Sequence, residues 1–359
     1  MDLGLFLMPL HPPEKPTAQG FDEDLELICR ADELGYREAW VGEHMTSRWE
    51  TIAAPDLFLA KAFALTRNIR LGTGVYLPAL HHPAELATRA AMLDQLSRGR
   101  FNLGMGTGSI PADRPFMGVD GSPDSMQERF VEGFEVILEL FSANPPWRHE
   151  GKHWTVELTG AQVDLDMGFP IRPYTRPHPP IGIPGYSPNS GSMRMAGRRG
   201  YWALSTNLAA NWILGTHWDA YRAGLAEGGH PIDPGGWRVA REVYVADTDE
   251  EAFAYAIDGP MGKNFRRFMM PLLVRNTPDG LGTFKDDPDM PDSAVTVEFL
   301  ARNVWLVGSP ATVTAKINRL RDTYGRFGVL LAMGHDWEDP DRAIHSLELL
   351  ANEVRPNVG

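Results

Sequence analysis

Residues 83–109 read PAELATRAAMLDQLSRGRFNLGMGTGS, and this stretch decides the fold class. Pro83 suits the first position of a helix, where its fixed φ is already helical and its missing N–H is not needed. The pattern predicts a helix over 83–96, a short polar stop at Ser97-Arg98-Gly99-Arg100, and a strand over 101–106. Outward from here the same alternation recurs along the chain. Strands are predicted at 3–8, 38–42, 69–77, 101–106, 181–185, 202–205, 239–245 and 329–333. Helices are predicted at 22–34, 56–66, 83–96, 126–142, 187–199, 211–227, 311–324 and 342–354, and Ser309-Pro310 opens the seventh as Pro83 opens the third. Strand and helix alternating at this spacing implies parallel strands joined by right-handed crossovers. Eight such units fit a closed (β/α)8 TIM barrel better than an open sheet. The expected class is therefore α/β, with one domain over 1–359.

Two segments interrupt the alternation. Around 145–170, His149-Glu150-Gly151-Lys152-His153-Trp154 reads as a β-hairpin insertion turning at Glu150-Gly151 or Gly151-Lys152. Residues 259–295 are rich in Pro, Gly, Asp and Met and read as a long late loop excursion with some helix; long loops on a compact barrel usually bind or cover something.

Composition narrows the function. The 359 residues carry a formal charge of -13, and 43% are hydrophobic and 23% charged, ample for a core. Nucleic acid and anionic lipid both require a basic surface, so neither is an expected partner. Cys29 is the single cysteine, which excludes an intramolecular disulfide and multi-thiolate zinc sites; in its apolar run it reads as a buried inert thiol. No apolar stretch approaches the roughly 18–20 residues of a membrane span. The start, Met1-Asp2-Leu3-Gly4, has no signal-peptide pattern, so the cytoplasm is the expected location.

In such a barrel the working face lies at the carboxyl ends of the strands. There the sequence places Met8-Pro9-Leu10-His11, Gly42-Glu43-His44-Met45, Thr73-Gly74-Val75-Tyr76, Gly104-Met105-Gly106-Thr107-Gly108-Ser109, Gly185-Tyr186-Ser187 and Met333-Gly334-His335. Glycines and hydroxyls gather where backbone approaches a ligand. The turn 104–109 offers amides to an anion such as phosphate, but it lacks a P-loop lysine and reads equally as a tight turn at the rim. The segment 185–190 is a second candidate cradle, with Ser187 expected to cap the helix that follows; capping alone would also explain that serine. Glu43-His44 suits metal binding, acid–base work or simple hydrogen bonding. No HExxH spacing and no Gly-x-Ser-x-Gly elbow is present, so neither a zinc site nor a hydrolase nucleophile is expected, and no metal is assigned. A glycosidase barrel lacks a second carboxylate to partner Glu43.

At these same residues the chain resembles the bacterial-luciferase-like flavin monooxygenases. The resemblance is carried by Glu43-His44, Leu71-Gly72-Thr73-Gly74-Val75, His82-Pro83, the run 93–101 leading into Gly104-Met105-Gly106, and Val307-Gly308-Ser309-Pro310-Ala311-Thr312-Val313. The stretch 43–52, with 149–154, looks closest to the diketocamphane and limonene-type two-component monooxygenases. The resemblance implies reduced FMN supplied by a separate flavin reductase, molecular oxygen, and a flavin (hydro)peroxide held for transfer to a small apolar substrate such as a terpenoid, a cyclic ketone or an alkene. It implies that His44, which matches a histidine tied to oxygenation, serves in protonation or in stabilising the intermediate. It places Thr73, Gly74 and Val75 at the flavin ring, where relatives often hold a non-prolyl cis peptide at Gly74-Val75. Gly106 stands where some luciferases carry a cysteine near the reactive flavin carbon, followed by Thr107 and Gly108. Ser187 and Ser190 match positions that hold the FMN phosphate, beside Tyr186. Tyr186 replaces an acidic residue of the luciferases and Thr107 a basic phosphate partner; Arg194 is a possible substitute, or else a solvated helix residue. Met8, Trp49, Tyr76, Trp154 and Met333 are candidate substrate-pocket walls, although each suits ordinary packing. A homodimer formed through helices early in the chain is expected from the same likeness. Two rival readings share the fold: a deazaflavin-dependent hydride-transfer oxidoreductase, and a flavin-binding protein without catalysis.

Overall fold

The computed structural model describes residues 1–119, 121–277, 280–336 and 338–359. In chain order the strands are β1 Asp2–Leu7, β2 Glu38–Val41, β3 Arg70–Thr73, β4 Phe101–Gly104, β5 Trp147–Glu150, β6 Thr155–Leu158, β7 Ile181–Gly185, β8 Trp202–Ser205, β9 Trp237–Arg241, β10 Val243–Val245, β11 Leu306–Gly308 and β12 Val329–Met333. Eight of them close into a barrel in the order β1-β12-β9-β8-β7-β4-β3-β2. The registers are parallel: Leu3 sits opposite Leu330, Leu204 opposite Arg238, and Leu103 opposite Ile181. All eight expected barrel strands are present. The expected strand 239–245 is divided at Glu242: β9 stays in the barrel, while β10 leaves it to pair with β11.

The opening stretch behaves as its residues dictate. Helix Pro83–Ser97 begins behind His82, whose Nδ1 accepts the Ala84 N–H at 3.3 Å. It ends at Arg98 (φ 53°) and Gly99 (φ 85°), both left-handed, which turns the chain into β4. Gly104 is required there, because a Cβ would lie 1.9 Å from the Thr73 carbonyl oxygen.

Contacts divide the chain into two compact units. The first comprises Met1–Ala39, Ser47–Thr51 and Ile183–Gly359; the second comprises Trp40–Thr46 and Ile52–Gly182. In the second unit β5 and β6 form the expected hairpin, but its loop is 151–154, closed by Gly151 N–H donating to Trp154 O at 3.0 Å. Glu132 clamps that loop by accepting the N–H groups of His153 (3.0 Å) and Trp154 (2.8 Å). In the first unit the expected excursion 259–295 is largely helical, with helices Pro260–Asn264 and Met270–Asn276 joined through a π turn. The reason is burial: Met261, Phe265, Met269, Leu273, Leu281 and Phe284 enter one apolar cluster with Leu300 and Trp305. Pro278 and Asp279, inside that excursion, lie outside the described residues. Cys29 is half-buried, not buried as expected, and burial with neighbouring carboxylates pushes its thiol up, away from the reactive thiolate. Among the described residues no helix is long and apolar enough to cross a membrane.

Candidate active site

In the second unit the residues after β2, β3 and β4 gather several titratable groups. The loop after β2 is fixed by His44 N–H donating to Ile52 O (3.2 Å) and Thr46 Oγ1 donating to buried Asp113 (2.5 Å). His44 is buried there. Its neighbour Glu43 is also buried and pairs through Oε1 with Nε2 of His81, while Oε2 has no hydrogen-bond partner among the described residues. Burial pushes the Glu43 carboxyl up, with the His81 hydrogen bond opposing it. Burial pulls His81 down, but the Glu43 carboxylate outweighs it and leaves the imidazole raised. The pair therefore favours holding a proton between carboxylate and ring near neutrality.

The glycine segments hold less free hydrogen-bonding capacity than their composition suggested. Gly74-Val75 is a cis peptide, as the resemblance implied, and the Gly74 N–H donates to Val41 O at 2.6 Å. The Thr73 hydroxyl is committed to Gly104: it donates to that carbonyl at 2.9 Å and receives the N–H at 3.1 Å. Its contribution is thus to fix β3 against β4. Gly106 N–H donates to Tyr76 O at 3.0 Å, so the turn offers its amides only from Thr107 onward; Gly108 adopts φ +85°. Thr107 and Gly108 are half-buried.

In the first unit Tyr186 and Ser187 are exposed and Ser190 is buried. The expected cap is corrected: helix Gly191–Arg198 starts four residues after Ser187, and Ser190 occupies the N-cap position. The physical reason is Asn189, whose left-handed φ of 53° turns the chain and delays the helix. Ser190 does not cap through its side chain either; its Oγ lies 2.9 Å from Ser192 Oγ, and Ser192 donates to Pro184 O at 2.6 Å. The first amides of this helix consequently keep their capacity for an anion. Arg194 is the solvated alternative: exposed, it pairs with Glu227, as Arg198 also does.

The candidate wall residues are dispersed. In the second unit Tyr76 is buried with its Oη unpartnered among the described residues. Trp154 lies under Arg129 (4.5 Å) and against the edge of His82 (5.4 Å), which makes it the anchor of the hairpin. In the first unit Trp49 stacks on Phe268 at 5.2 Å with Arg267 over its ring. Met8 is half-buried. Met333 lines, with His335, Leu5 and Leu27, a cavity of about 50 Å3. That suits a few waters and is far below the roughly 300–1,000 Å3 of ligand sites.

Sequence reading missed two clusters. One is the pair of Glu43 with His81, whose place directly before His82-Pro83, after β3, is the signal that puts it near Glu43. In the first unit His11 Nδ1 lies 2.6 Å from Asp336 and its Nε2 3.2 Å from Asp24. Burial opposes the charge on His11, but the two carboxylates raise it to about 9. His11, Glu23 and Asp336 offer metal-like ligand spacing, yet Lys15 Nζ already occupies it, 2.5 Å from Glu23 and 2.6 Å from Asp336. A metal there would have to displace an ammonium and a proton.

A parallel barrel with such strand ends defines a class, and comparison gives its family: the chain belongs to the luciferase-like monooxygenases, whose family model matches residues 1–326. It is 33% identical over 375 residues to 3,6-diketocamphane 1,6-monooxygenase of Pseudomonas putida, covering 100% of this chain and 98% of the relative. It is 31% identical over 360 residues to limonene 1,2-monooxygenase of Rhodococcus erythropolis, covering 99% of this chain and 86% of the relative. Among solved structures it is similar to a type II Baeyer–Villiger monooxygenase, the oxygenating constituent of 3,6-diketocamphane monooxygenase from Pseudomonas putida in complex with FMN. The TM-score is 0.92 at 32% identity, covering 100% of this chain and 99% of that one.

Proposed function

We propose that this chain is the oxygenating component of a two-component flavin monooxygenase, receiving reduced FMN from a separate reductase and adding one oxygen atom of O2 to a small apolar substrate. A cyclic ketone or terpenoid is the substrate class, and a cytoplasmic location is part of the same proposal. The observation that carries this reading is end-to-end similarity, at 32% identity, to an oxygenating constituent that binds FMN.

The residues fit the cofactor on their own terms. In the first unit an uncapped helix start, with Ser187 at its approach and buried Ser190 at its N-cap, suits a phosphate; Tyr186 flanks it. In the second unit Gly74, Val75 and Gly106, with Thr107 and Gly108 beyond them, are the residues assigned to the flavin ring, and Thr73 fixes the strand ends that present them. Bound reduced FMN supplies the reaction with oxygen. The protein's own part is to hold that group, exclude water and place a proton. We assign proton delivery to the His44 imidazole, with the Glu43 Oε1–His81 Nε2 pair setting the charge beside it. Met8, Trp49, Tyr76, Trp154 and Met333 are proposed as apolar surroundings, with Trp154 acting through the hairpin it anchors.

The test is to mix the protein with FMN, a flavin reductase and NADH, offer bicyclic ketones and cyclic alkenes, and follow oxygen uptake and product mass. A product heavier by one oxygen atom supports the proposal. Reduction of a ketone with a deazaflavin, without oxygen uptake, would replace it with the hydride-transfer reading.

We further propose a homodimer formed through the early helices. In the second unit Leu57 and Leu65 on helix Pro55–Leu65, and Met92 and Leu96 on helix Pro83–Ser97, are all more than half exposed. Exposed apolar side chains on two helices that pack against each other are the observation that supports this reading. Light scattering should give twice the chain mass for the wild type and the monomer mass for a Leu57→Glu, Met92→Glu double variant.

A further inference from the structure

Behind the loop 186–190 runs a line of hydrogen bonds from the barrel core to the loop backbone, all within the first unit. Trp237 Nε1, which can only donate, donates to Ser205 Oγ at 2.8 Å. The Ser205 hydroxyl then donates its one proton to Nδ1 of His217, 2.9 Å away. His217 Nε2 therefore carries the ring proton and donates it to the Ser187 carbonyl oxygen at 2.9 Å, a group that can only accept. The tautomer is fixed from both ends. His217 is fully buried, and burial pulls it down to about 4, so it stays neutral and the line stays intact at ordinary pH.

The preceding residue completes a second hold. Thr216 Oγ1 accepts the Asn189 N–H at 3.0 Å and itself donates to Ile213 O at 2.8 Å. Two consecutive residues of helix Asn211–Glu227 thus grip the loop, one at its carbonyl and one at its amide. The grip is rigid because this helix meets helix Gly191–Arg198 backbone to backbone. A Cβ on Gly197 would lie 2.2 Å from Tyr221 O, and one on Gly224 would lie 2.1 Å from Arg194 O.

We infer that His217, with Thr216, is a positioning residue for phosphate recognition: it turns the Ser187 carbonyl inward and leaves the Ser187 hydroxyl and the helix amides to face an anion. A carbonyl oxygen aimed at the anion would repel it, and an unheld loop would present its donors in many arrangements. The inference rests on the reading that the 186–190 loop takes the FMN phosphate. It adds that selectivity for the phosphate is set by a neutral relay beneath the loop.

The experiment is equilibrium binding of FMN and of riboflavin, which lacks the phosphate, to the full chain. The ratio of the two dissociation constants is the readout, because general destabilisation weakens both equally. Wild type should prefer FMN. His217→Phe, which keeps a flat ring and removes both nitrogens, should lose up to roughly tenfold of that preference with riboflavin affinity unchanged, the scale of one lost hydrogen bond. His217→Gln, which can still donate to Ser187, should recover most of it, and Thr216→Val should lose a smaller part. Should His217→Phe fail to fold, Thr216→Val and His217→Gln decide the matter. An unchanged ratio in the folded variants overturns the inference and leaves the phosphate reading standing. A wild type that binds both flavins equally overturns both.

Discussion

The second unit gathers buried titratable groups, whereas the loop in the first unit that is proposed to take an anion carries neutral ones. Around β2 and β3, a carboxyl and an imidazole are both shifted upward and share one hydrogen bond, with His44 alongside. At 186–190 the groups are the Ser187 hydroxyl and backbone amides, with His217 held neutral behind them, and the nearby arginines Arg194 and Arg198 are engaged by Glu227. Fixed dipoles hold an anion without a permanent counter-charge, which suits the cofactor exchange that the proposed two-component reaction requires. Titratable groups belong where charge must change during a reaction.

The largest effect that would sharpen this contrast is His44→Ala. Turnover should fall roughly 100-fold or more, the scale of a lost acid–base group, while FMN affinity changes little. Steady-state kinetics beside a flavin titration checks it, and full activity would remove the role assigned to His44.

The next effect separates structural charge from anion binding. His11 is raised from 6.5 to about 9 by its carboxylates, so its stabilisation is complete below pH 6.5 and disappears as pH rises toward 9. Up to about 3 kcal/mol of folding stability is involved. The melting temperature should fall across that window, and His11→Gln should flatten the slope. FMN affinity should stay level between pH 7 and 9, since His217 is neutral throughout; a marked loss of affinity there would break the contrast.

Glu43→Gln should lower turnover about tenfold, the scale of one strong charged hydrogen bond. It should also let burial pull His81 below its ordinary 6.5, which NMR titration of the imidazole would follow. A His81 that keeps its raised value would show that Glu43 is not its cause.

The smallest expected effect is Arg194→Ala, with less than about threefold change in FMN affinity, because exposed ion pairs contribute little. A tenfold loss would mean that the loop uses a permanent charge after all.

Much of the barrel was legible because each helix and strand carries its own period and punctuation. Pro83, Ser97-Arg98-Gly99-Arg100 and Phe101 mark their elements by local rules alone. The split at Glu242 was not legible, since Val239-Ala240-Arg241-Glu242-Val243-Tyr244-Val245 contains no Gly, Pro or other turn residue, and only the partner strand β11 draws its second half away. The helical character of 259–295 was hidden by its Pro and Gly content; burial of Phe265, Met269 and Phe284 overrode propensity. In the candidate site, residues at strand ends could be named from order in the chain. The pairing of Glu43 with His81, and of His217 with Ser187, spans 38 and 30 residues and follows no periodicity.

By itself the sequence determined the order of strands and helices, the strand ends that carry His44, Gly74-Val75 and Ser190, and the family likeness those residues bear. Only the tertiary structure decided which donors remain free, because each hydrogen bond depends on what lies across the fold. It took the Thr73 hydroxyl and the Gly106 amide out of use, left the start of helix Gly191–Arg198 uncapped, and set His217 beneath the loop that precedes it.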